Sequence, residues 1–190
     1  YFMSLLRERG IYYYVDLLTN RSVYEDDGIK AVADVNEGWK GESTFDPHLL
    51  KLQKDYAKQL LSYVNPYTGL ALKDDPAMVF VDIHNENSII GLYSSMITTS
   101  YYGGQLQSRF NTWLADRYNS TEELAAAWEE SGKLGLDDTE DFTKGTVKFS
   151  SNYDKMNYSQ MRKCDTYEFL YMLLDEMYVD FRDFLRNDVG

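Results

Sequence analysis

Residues 77–87 read AMVFVDIHNEN, and this stretch decides the fold that the sequence predicts. Its first seven residues are almost wholly apolar, which is typical of a strand buried in a parallel sheet. A polar tail follows at once, with an imidazole, two amides and a carboxylate at residues 84–87. In parallel α/β folds the working side chains collect at the carboxyl ends of the strands. The stretch therefore predicts a strand with candidate functional residues at its end.

An earlier stretch predicts a partner for this strand. Residues 11–18, IYYYVDLL, form a β-branched and aromatic run that is typical of a strand buried on both faces. Between the two strands, Asp46 and Pro47 supply an N-cap and a first helical residue, and the helix is predicted to run to about Val64. A strand, a helix and a strand in this order form a βαβ unit with parallel strands. The predicted fold class is α/β.

The remainder of the chain is predicted to be mainly helical. Residues 1–9 end a helix, with Gly10 in the stop position, and further helices are expected over residues 104–118 and 159–187. Ser120 and Glu123 form a capping box for a helix that ends near Glu130. Residues 131–153 are expected to be irregular apart from a weak strand at 146–149. Two strands leave sheet edges and one sheet face uncovered, so we expect this piece alone to be marginally stable or to self-associate.

The composition excludes several classes of partner. The formal net charge is −12, whereas phosphate binding needs a basic patch, so no nucleic-acid partner is expected. An anionic membrane surface is disfavoured for the same reason. No apolar run reaches the roughly 18 residues of a transmembrane helix, so no membrane span is expected.

Glu86 is the first candidate catalytic residue. Glycoside hydrolysis needs a protonated carboxyl group beside the leaving oxygen, and the retaining route needs a second carboxylate about 5 Å away. The neighbouring amide of Asn85 would bind a substrate hydroxyl or hold Glu86 in its working rotamer. A metal-dependent hydrolase or isomerase is an alternative, because Asp82, His84 and Glu86 alternate and would share one side of a regular strand. Three ligands that alternate along one strand lie nearly in a line and cannot surround a metal ion without further residues. No metal and no cofactor are therefore predicted.

Several motifs occur in order along the chain beside the Asn-Glu pair that ends the second strand. They are RGIY at 9–12, FDP at 45–47, YAKQLLSYVNPYTG at 56–69, DPA at 75–77, WLADRY at 113–118 and LAAAW at 124–128. Together they resemble the clan A glycoside hydrolases, which include cellulase-like and β-galactosidase-like families of bacteria. The resemblance covers nearly the whole chain, from helix two to helix four of that fold.

This resemblance implies a partial TIM (β/α)₈ barrel, that is, an internal fragment of one catalytic domain. Residues 1–103 would form the unit of strand three, helix three and strand four, residues 104–158 a helical insertion, and residues 159–190 helix four. Glu86 would be the acid/base of a retaining O-glycosyl hydrolase, with Asn85 as its hydroxyl-binding neighbour. The nucleophile belongs to strand seven in this clan, and nothing here corresponds to it. The fragment is therefore predicted to be inactive without the remainder of the parent barrel.

Further residues are expected to bind the carbohydrate substrate. Related sequences often carry a histidine near the end of strand three, where this chain has LLTN at 17–20, so Asp16 or Asn20 would take that place. Trp39 and Tyr93 are expected in loops at the strand ends, where an aromatic ring could stack on a pyranose. The same region contributes His84 and Asn87. A non-catalytic carbohydrate-binding protein remains the third alternative.

Overall fold

The computed structural model describes residues 1–18, 21–35, 39–86, 88–149 and 157–190. Over these residues the chain forms two strands and six helices, which are α1 (Phe2–Glu8), β1 (Tyr13–Asp16), α2 (Pro47–Ser62), β2 (Met78–Asp82), α3 (Ile89–Met96), α4 (Tyr101–Arg117), α5 (Thr121–Trp128) and α6 (Gln160–Phe184). A π-helical turn, Leu185–Val189, follows α6. None of the described helices is both long enough and apolar enough to cross a membrane.

The chain divides into two compact units. The first contains Tyr1–Ile29, Glu37–Asn87 and Asp175–Gly190, and so includes both strands and α2. The second contains Lys30–Asn36 and Ser88–Leu174, which are mainly helical.

The two strands pair in parallel, as the βαβ pattern predicts. Tyr14 pairs with Phe80, and Asp16 pairs with Asp82. The backbone N–H of Leu17 donates to the Asp82 carbonyl at 2.8 Å, which extends the pairing past the end of β1. The carboxyl ends of β1 and β2 therefore lie side by side, and each ends in an aspartate.

The predicted partial barrel is wrong, because the described residues form a sheet of only two strands in a helix-rich, small mixed α/β fold. The prediction that β1 is buried on both faces is also wrong. Tyr14 is 54% exposed and Phe80 is 56% exposed, and their rings stack with centroids 4.7 Å apart. In a barrel, side chains fill the interior and helices cover the outside, so such residues would be buried. An apolar run indicates that a strand favours burial, but it does not show how many other strands the sheet contains.

The other face of the sheet packs on the core of the first unit. The buried members of this core are Leu17, Ala57, Leu61, Leu72, Met177, Phe181 and Val189. Helix α2 contributes a face of buried residues at a spacing of four: Leu49, Gln53, Ala57 and Leu61. Burial on this helix does not follow polarity, because the aromatic Tyr56 is 48% exposed and the polar Gln53 is 1% exposed.

Both predicted helix boundaries in the first unit are confirmed. The Asp46 carboxylate caps α2 by accepting from the backbone N–H groups of His48 at 2.9 Å and Leu49 at 3.0 Å. After α1, Gly10 has a φ of 69°, a left-handed conformation that glycine adopts without the steric penalty of a Cβ.

The second unit has an aromatic core. Rings from three helices and one loop meet with centroids 5.0–5.7 Å apart: Tyr93, Phe110, Phe149 and Phe169. Helix α3, which supplies Tyr93, is not foreseen by the sequence pattern. The predicted cap of α5 is confirmed, since the Ser120 hydroxyl accepts from the Glu123 N–H at 3.2 Å.

The predicted strand at 146–149 is wrong. Val147 in this segment bonds with both its N–H and its carbonyl to the side-chain amide of Asn111, at 3.0 and 2.9 Å. A helix side chain therefore satisfies the backbone groups that a neighbouring strand would otherwise pair.

A buried ion pair also lies in the second unit. Arg162 is 2% exposed, and its guanidinium donates to both carboxylate oxygens of Glu140 at 2.7 Å. Burial alone would raise the pKa of the Glu140 carboxyl, but the hydrogen bonds and charge of Arg162, together with hydrogen bonds from the backbone N–H groups of Asp137 and Lys148, lower that pKa. Since Arg162 also lies over the Trp128 ring, this pair joins α5, α6 and the loop between them.

Candidate functional site

The chain that leaves β2 is held at two carbonyl groups. The side-chain amide of Gln53, on α2, donates to the Ile83 carbonyl at 2.8 Å. The Lys40 ammonium donates to the Asn85 carbonyl at 2.5 Å. A helix and a loop therefore fix the backbone that presents Glu86.

His84 is buried behind this turn, with 4% of its surface exposed. Its Nε2 lies 2.7 Å from Gln53 Oε1 and 3.4 Å from the Ser43 hydroxyl. Because the Gln53 nitrogen already donates to Ile83, its oxygen is the acceptor and His84 Nε2 is the donor. Burial, helped by the nearby Lys40 charge, lowers the pKa of His84 to about 4, so the ring is neutral near pH 7. This placement favours a role for His84 in positioning Gln53.

The same geometry bears on the metal alternative. His84 commits Nε2 to Gln53, and Glu86 is exposed. Among the described residues, no three His, Cys, Asp or Glu side chains are grouped so that they could hold a metal ion. The alternative built on Asp82, His84 and Glu86 gains no support from these positions.

Two residues of the first unit have a strained backbone. Trp39 has a φ of 43° and Glu86 a φ of 51°, and they are the non-glycine residues with positive φ in the described part of the chain. Such conformations cost about 1–2 kcal/mol each and persist only where the surrounding structure imposes them. The two strained turns are linked, because Lys40 follows Trp39 and bonds to Asn85, which precedes Glu86.

A cavity of about 500 Å³ opens beside the end of β1. Trp39 borders it in a loop, as predicted, but it is 2% exposed, so the expectation of an open ring face for stacking is wrong. Its indole N–H donates to the Arg21 carbonyl at 2.7 Å, which fixes the ring in the cavity wall. The wall combines aromatic rings, amides, carboxylates and a guanidinium. Its described members are Asp16, Leu17, Leu18, Arg21, Trp39, Leu52, Gln53, Asp55, Tyr56 and Gln59. Of these, Tyr56 is 48% exposed and can stack on a sugar, and the exposed polar groups of Arg21, Asp55 and Gln59 can bind its hydroxyl groups.

Not all of the predicted site residues meet here. Asn85 is half-buried and Glu86 is exposed at the end of β2, but neither is among the described residues of the cavity wall. The expectation that Tyr93 lies in an open loop is wrong, since it belongs to α3 in the second unit and is 0% exposed. Asn20 and Asn87 lie outside the described residues.

Sequence reasoning missed Gln53, Arg21 and Tyr56 as wall residues. One signal was available for Gln53, which follows Leu49 by four residues and precedes Ala57 by four on a helix that buries this face. A polar side chain at such a position must find hydrogen-bond partners inside the protein. No comparable pattern marks Arg21, whose place depends on the fold of a loop.

Comparison of the chain with models of known protein families, with curated proteins and with solved structures finds no match. The resemblance to the clan A glycoside hydrolases therefore stays a prediction.

Proposed function

We propose that this chain carries a saccharide-binding cavity and the acid/base carboxylate, Glu86, of a retaining glycoside hydrolase. One observation carries the proposal: the strained residues Trp39, at the cavity wall, and Glu86, after β2, lie in turns tied by the Lys40–Asn85 hydrogen bond. Backbone strain of this kind clusters at functional sites, where it holds a side chain in a working position.

Glu86 lies where a substrate could reach it. Its carboxyl group is exposed and follows a strand, and the backbone before it is held at Ile83 and Asn85. In the proposed reaction Glu86 protonates the glycosidic oxygen, the bond from that oxygen to the anomeric carbon breaks, and a nucleophilic carboxylate forms an ester bond with the anomeric carbon as the leaving alcohol departs. Glu86 then takes a proton from a water molecule whose oxygen attacks the anomeric carbon. The ester bond breaks, the carboxylate is restored, and the sugar leaves with retained configuration. The nucleophile is expected from a longer parent protein, so we expect the 190-residue chain to bind saccharides without cleaving them.

Binding is tested by titrating the ¹⁵N-labelled chain with cellobiose and with lactose. We expect saturable shifts of the Trp39 indole signal, assigned by comparison with Trp39→Phe, and of the amides of Leu17, Leu18 and Gln53. The amides of α3, in the second unit, serve as the internal control. The proposal is wrong if neither sugar moves the cavity signals.

Catalysis is tested in the parent protein. Glu86→Gln keeps the shape of the side chain but removes the transferable proton, so we expect kcat to fall by about 10²–10⁴-fold with KM nearly unchanged. Unchanged turnover would exclude Glu86 as the acid/base.

A second candidate function is non-catalytic carbohydrate binding. It is favoured by the position of Glu86, which is not among the described residues of the cavity wall. This alternative predicts that cellobiose or lactose binds the cavity and that no aryl glycoside is cleaved by the parent protein, with or without Glu86→Gln.

A further inference from the structure

The cavity in the first unit carries one acidic group that stands apart from its neighbours. Among the described residues, three side chains that carry a charge near pH 7 line its wall: Asp16, Arg21 and Asp55. The Arg21 guanidinium pairs with Asp27 at 2.6 Å, and Asp55 pairs with Lys51 at 2.5 Å. No described cation forms an ion pair with Asp16, so its charge is the uncompensated one at this wall.

One carboxylate oxygen of Asp16 also lacks a hydrogen bond. Asp16 Oδ1 is buried from solvent, and no described group donates to it. Asp16 as a whole is half-buried and borders the cavity, so its carboxylate can be approached from the cavity even though Oδ1 is covered. A partly desolvated carboxylate without a cationic partner favours a charged donor. Asp82, the register partner of Asp16, places a second carboxylate at the same sheet end. The net charge of −12 adds a long-range field of the same sign.

We infer that the saccharide bound in this cavity is an amino sugar, whose protonated amine donates to Asp16. This inference rests on the proposed function and specifies its substrate class. The remaining wall groups suit the rest of such a ring, since the exposed amide of Gln59 can pair with hydroxyls. Tyr56, which is 48% exposed, offers a ring face to the apolar side of the pyranose. An acidic sugar would bring a second negative charge to Asp16 and is excluded by repulsion.

Three monosaccharides with one ring and different charges test the inference: glucosamine, glucose and glucuronate. Each is titrated into the ¹⁵N-labelled chain at a pH where the amine is protonated, and the shifts of the cavity amides give the affinity. We expect glucosamine to bind about tenfold more tightly than glucose, as a charge-assisted hydrogen bond allows, and glucuronate to bind most weakly. Added salt should reduce the advantage of glucosamine.

Asp16→Asn should bring glucosamine and glucose to within about twofold, because the charge is lost while the side chain keeps its size. The matched control is Asp55→Asn, which removes a wall carboxylate that already has a partner and should leave the preference intact. Equal affinities for the three sugars, or tightest binding of glucuronate, would overturn the inference and leave the proposed function standing. If none of the sugars moves the cavity signals, and cellobiose and lactose do not either, the proposed function fails with it.

Discussion

His84 is the residue whose chemistry the fold alters most. An imidazole in water has a pKa of 6.5, and burial here lowers the pKa to about 4. The sign of the effect on stability follows, because below pH 6.5 the unfolded chain binds a proton that the folded chain refuses. The contribution of neutral His84 is complete above about pH 6.5, declines as the pH falls towards about 4, and amounts to at most about 3 kcal/mol.

We therefore predict that His84 titrates with a midpoint near pH 4 in the folded chain. The measurement is an NMR titration of the ring carbon-bound protons in the His48→Gln variant, which leaves His84 as the remaining histidine of the two. A midpoint close to the ordinary value of 6.5 would contradict the burial argument.

The strain at Glu86 gives a second prediction at this scale. Glu86→Gly should raise the free energy of unfolding by about 0.5–1 kcal/mol. Glycine relieves the strain of the positive φ, and this gain is partly offset because glycine loses more conformational entropy on folding. Urea denaturation measures the change. Glu86→Ala is the matched control, because it removes the same carboxylate but keeps the strained Cβ, and no gain is expected. Equal effects of the two variants would mean that the backbone conformation is not costly.

The sequence predicted part of the candidate site at the level of single residues. Glu86 and Asn85 could be placed at a strand end because an apolar run stops just before them. The sequence could not predict which of these side chains are buried, since burial depends on segments that are distant in sequence and pack nearby. Examples are the exposure of Glu86 and the burial of His84 and Tyr93.

At the scale of elements, α2 organises the first unit, and its start depends on Asp46. Asp46→Ala should lower the free energy of unfolding by about 1 kcal/mol, and by up to about 2, because two backbone N–H groups lose their acceptor. Asp46→Asn retains a side-chain oxygen and should lose much less. Thermal or urea unfolding of the pair measures the difference, and equal losses would show that capping is not the cause.

Gln53 links α2 to the turn after β2. Gln53→Leu should cost about 2–3 kcal/mol, because it removes the partners of the buried His84 Nε2 and the Ile83 carbonyl. Gln59→Leu is the matched control on the same helix, as Gln59 lines the same cavity but is exposed, and a change within about 0.5 kcal/mol is expected. If Gln53→Leu were equally mild, the turn would not depend on this bridge.

Elements with strong local signals were predicted well. The N-cap of α2, the glycine after α1 and the cap of α5 follow from nearby residues. The parallel pairing of the strands follows from the order of strand, helix and strand along the chain. Helix α3 and the false strand at 146–149 show the limit. In the second case Asn111, 36 residues away, takes the hydrogen bonds that a neighbouring strand would have supplied.

At the scale of the whole molecule, the exposed face of the sheet is the feature with the clearest consequence. Tyr14 and Phe80 lie on this face, at 54% and 56% exposed, and their chain neighbours Tyr12, at 68%, and Val79, at 56%, are also exposed. Exposed apolar patches and open sheet edges favour association. We predict concentration-dependent self-association of the chain, measured by sedimentation velocity.

Phe80→Ser should weaken this association, because it removes one of the two stacked rings. Tyr171→Ser is the matched control, since Tyr171 is 67% exposed but lies on α6 in the second unit. Wild-type chain that stays monomeric up to its solubility limit would contradict the prediction.

The sequence by itself determined the local elements: which runs become strand or helix, where capped helices begin, and that a carboxylate follows the second strand. Those features depend on neighbouring residues and on hydrogen bonds that span a few positions. Only the tertiary structure decided that the described residues form a sheet of two strands, that His84 is buried against Gln53, and that Asp16 borders a cavity with no described group donating to its Oδ1. The burial of a side chain, its hydrogen-bond partners and the number of strands in a sheet depend on which distant segments pack together. A local sequence pattern does not contain that information.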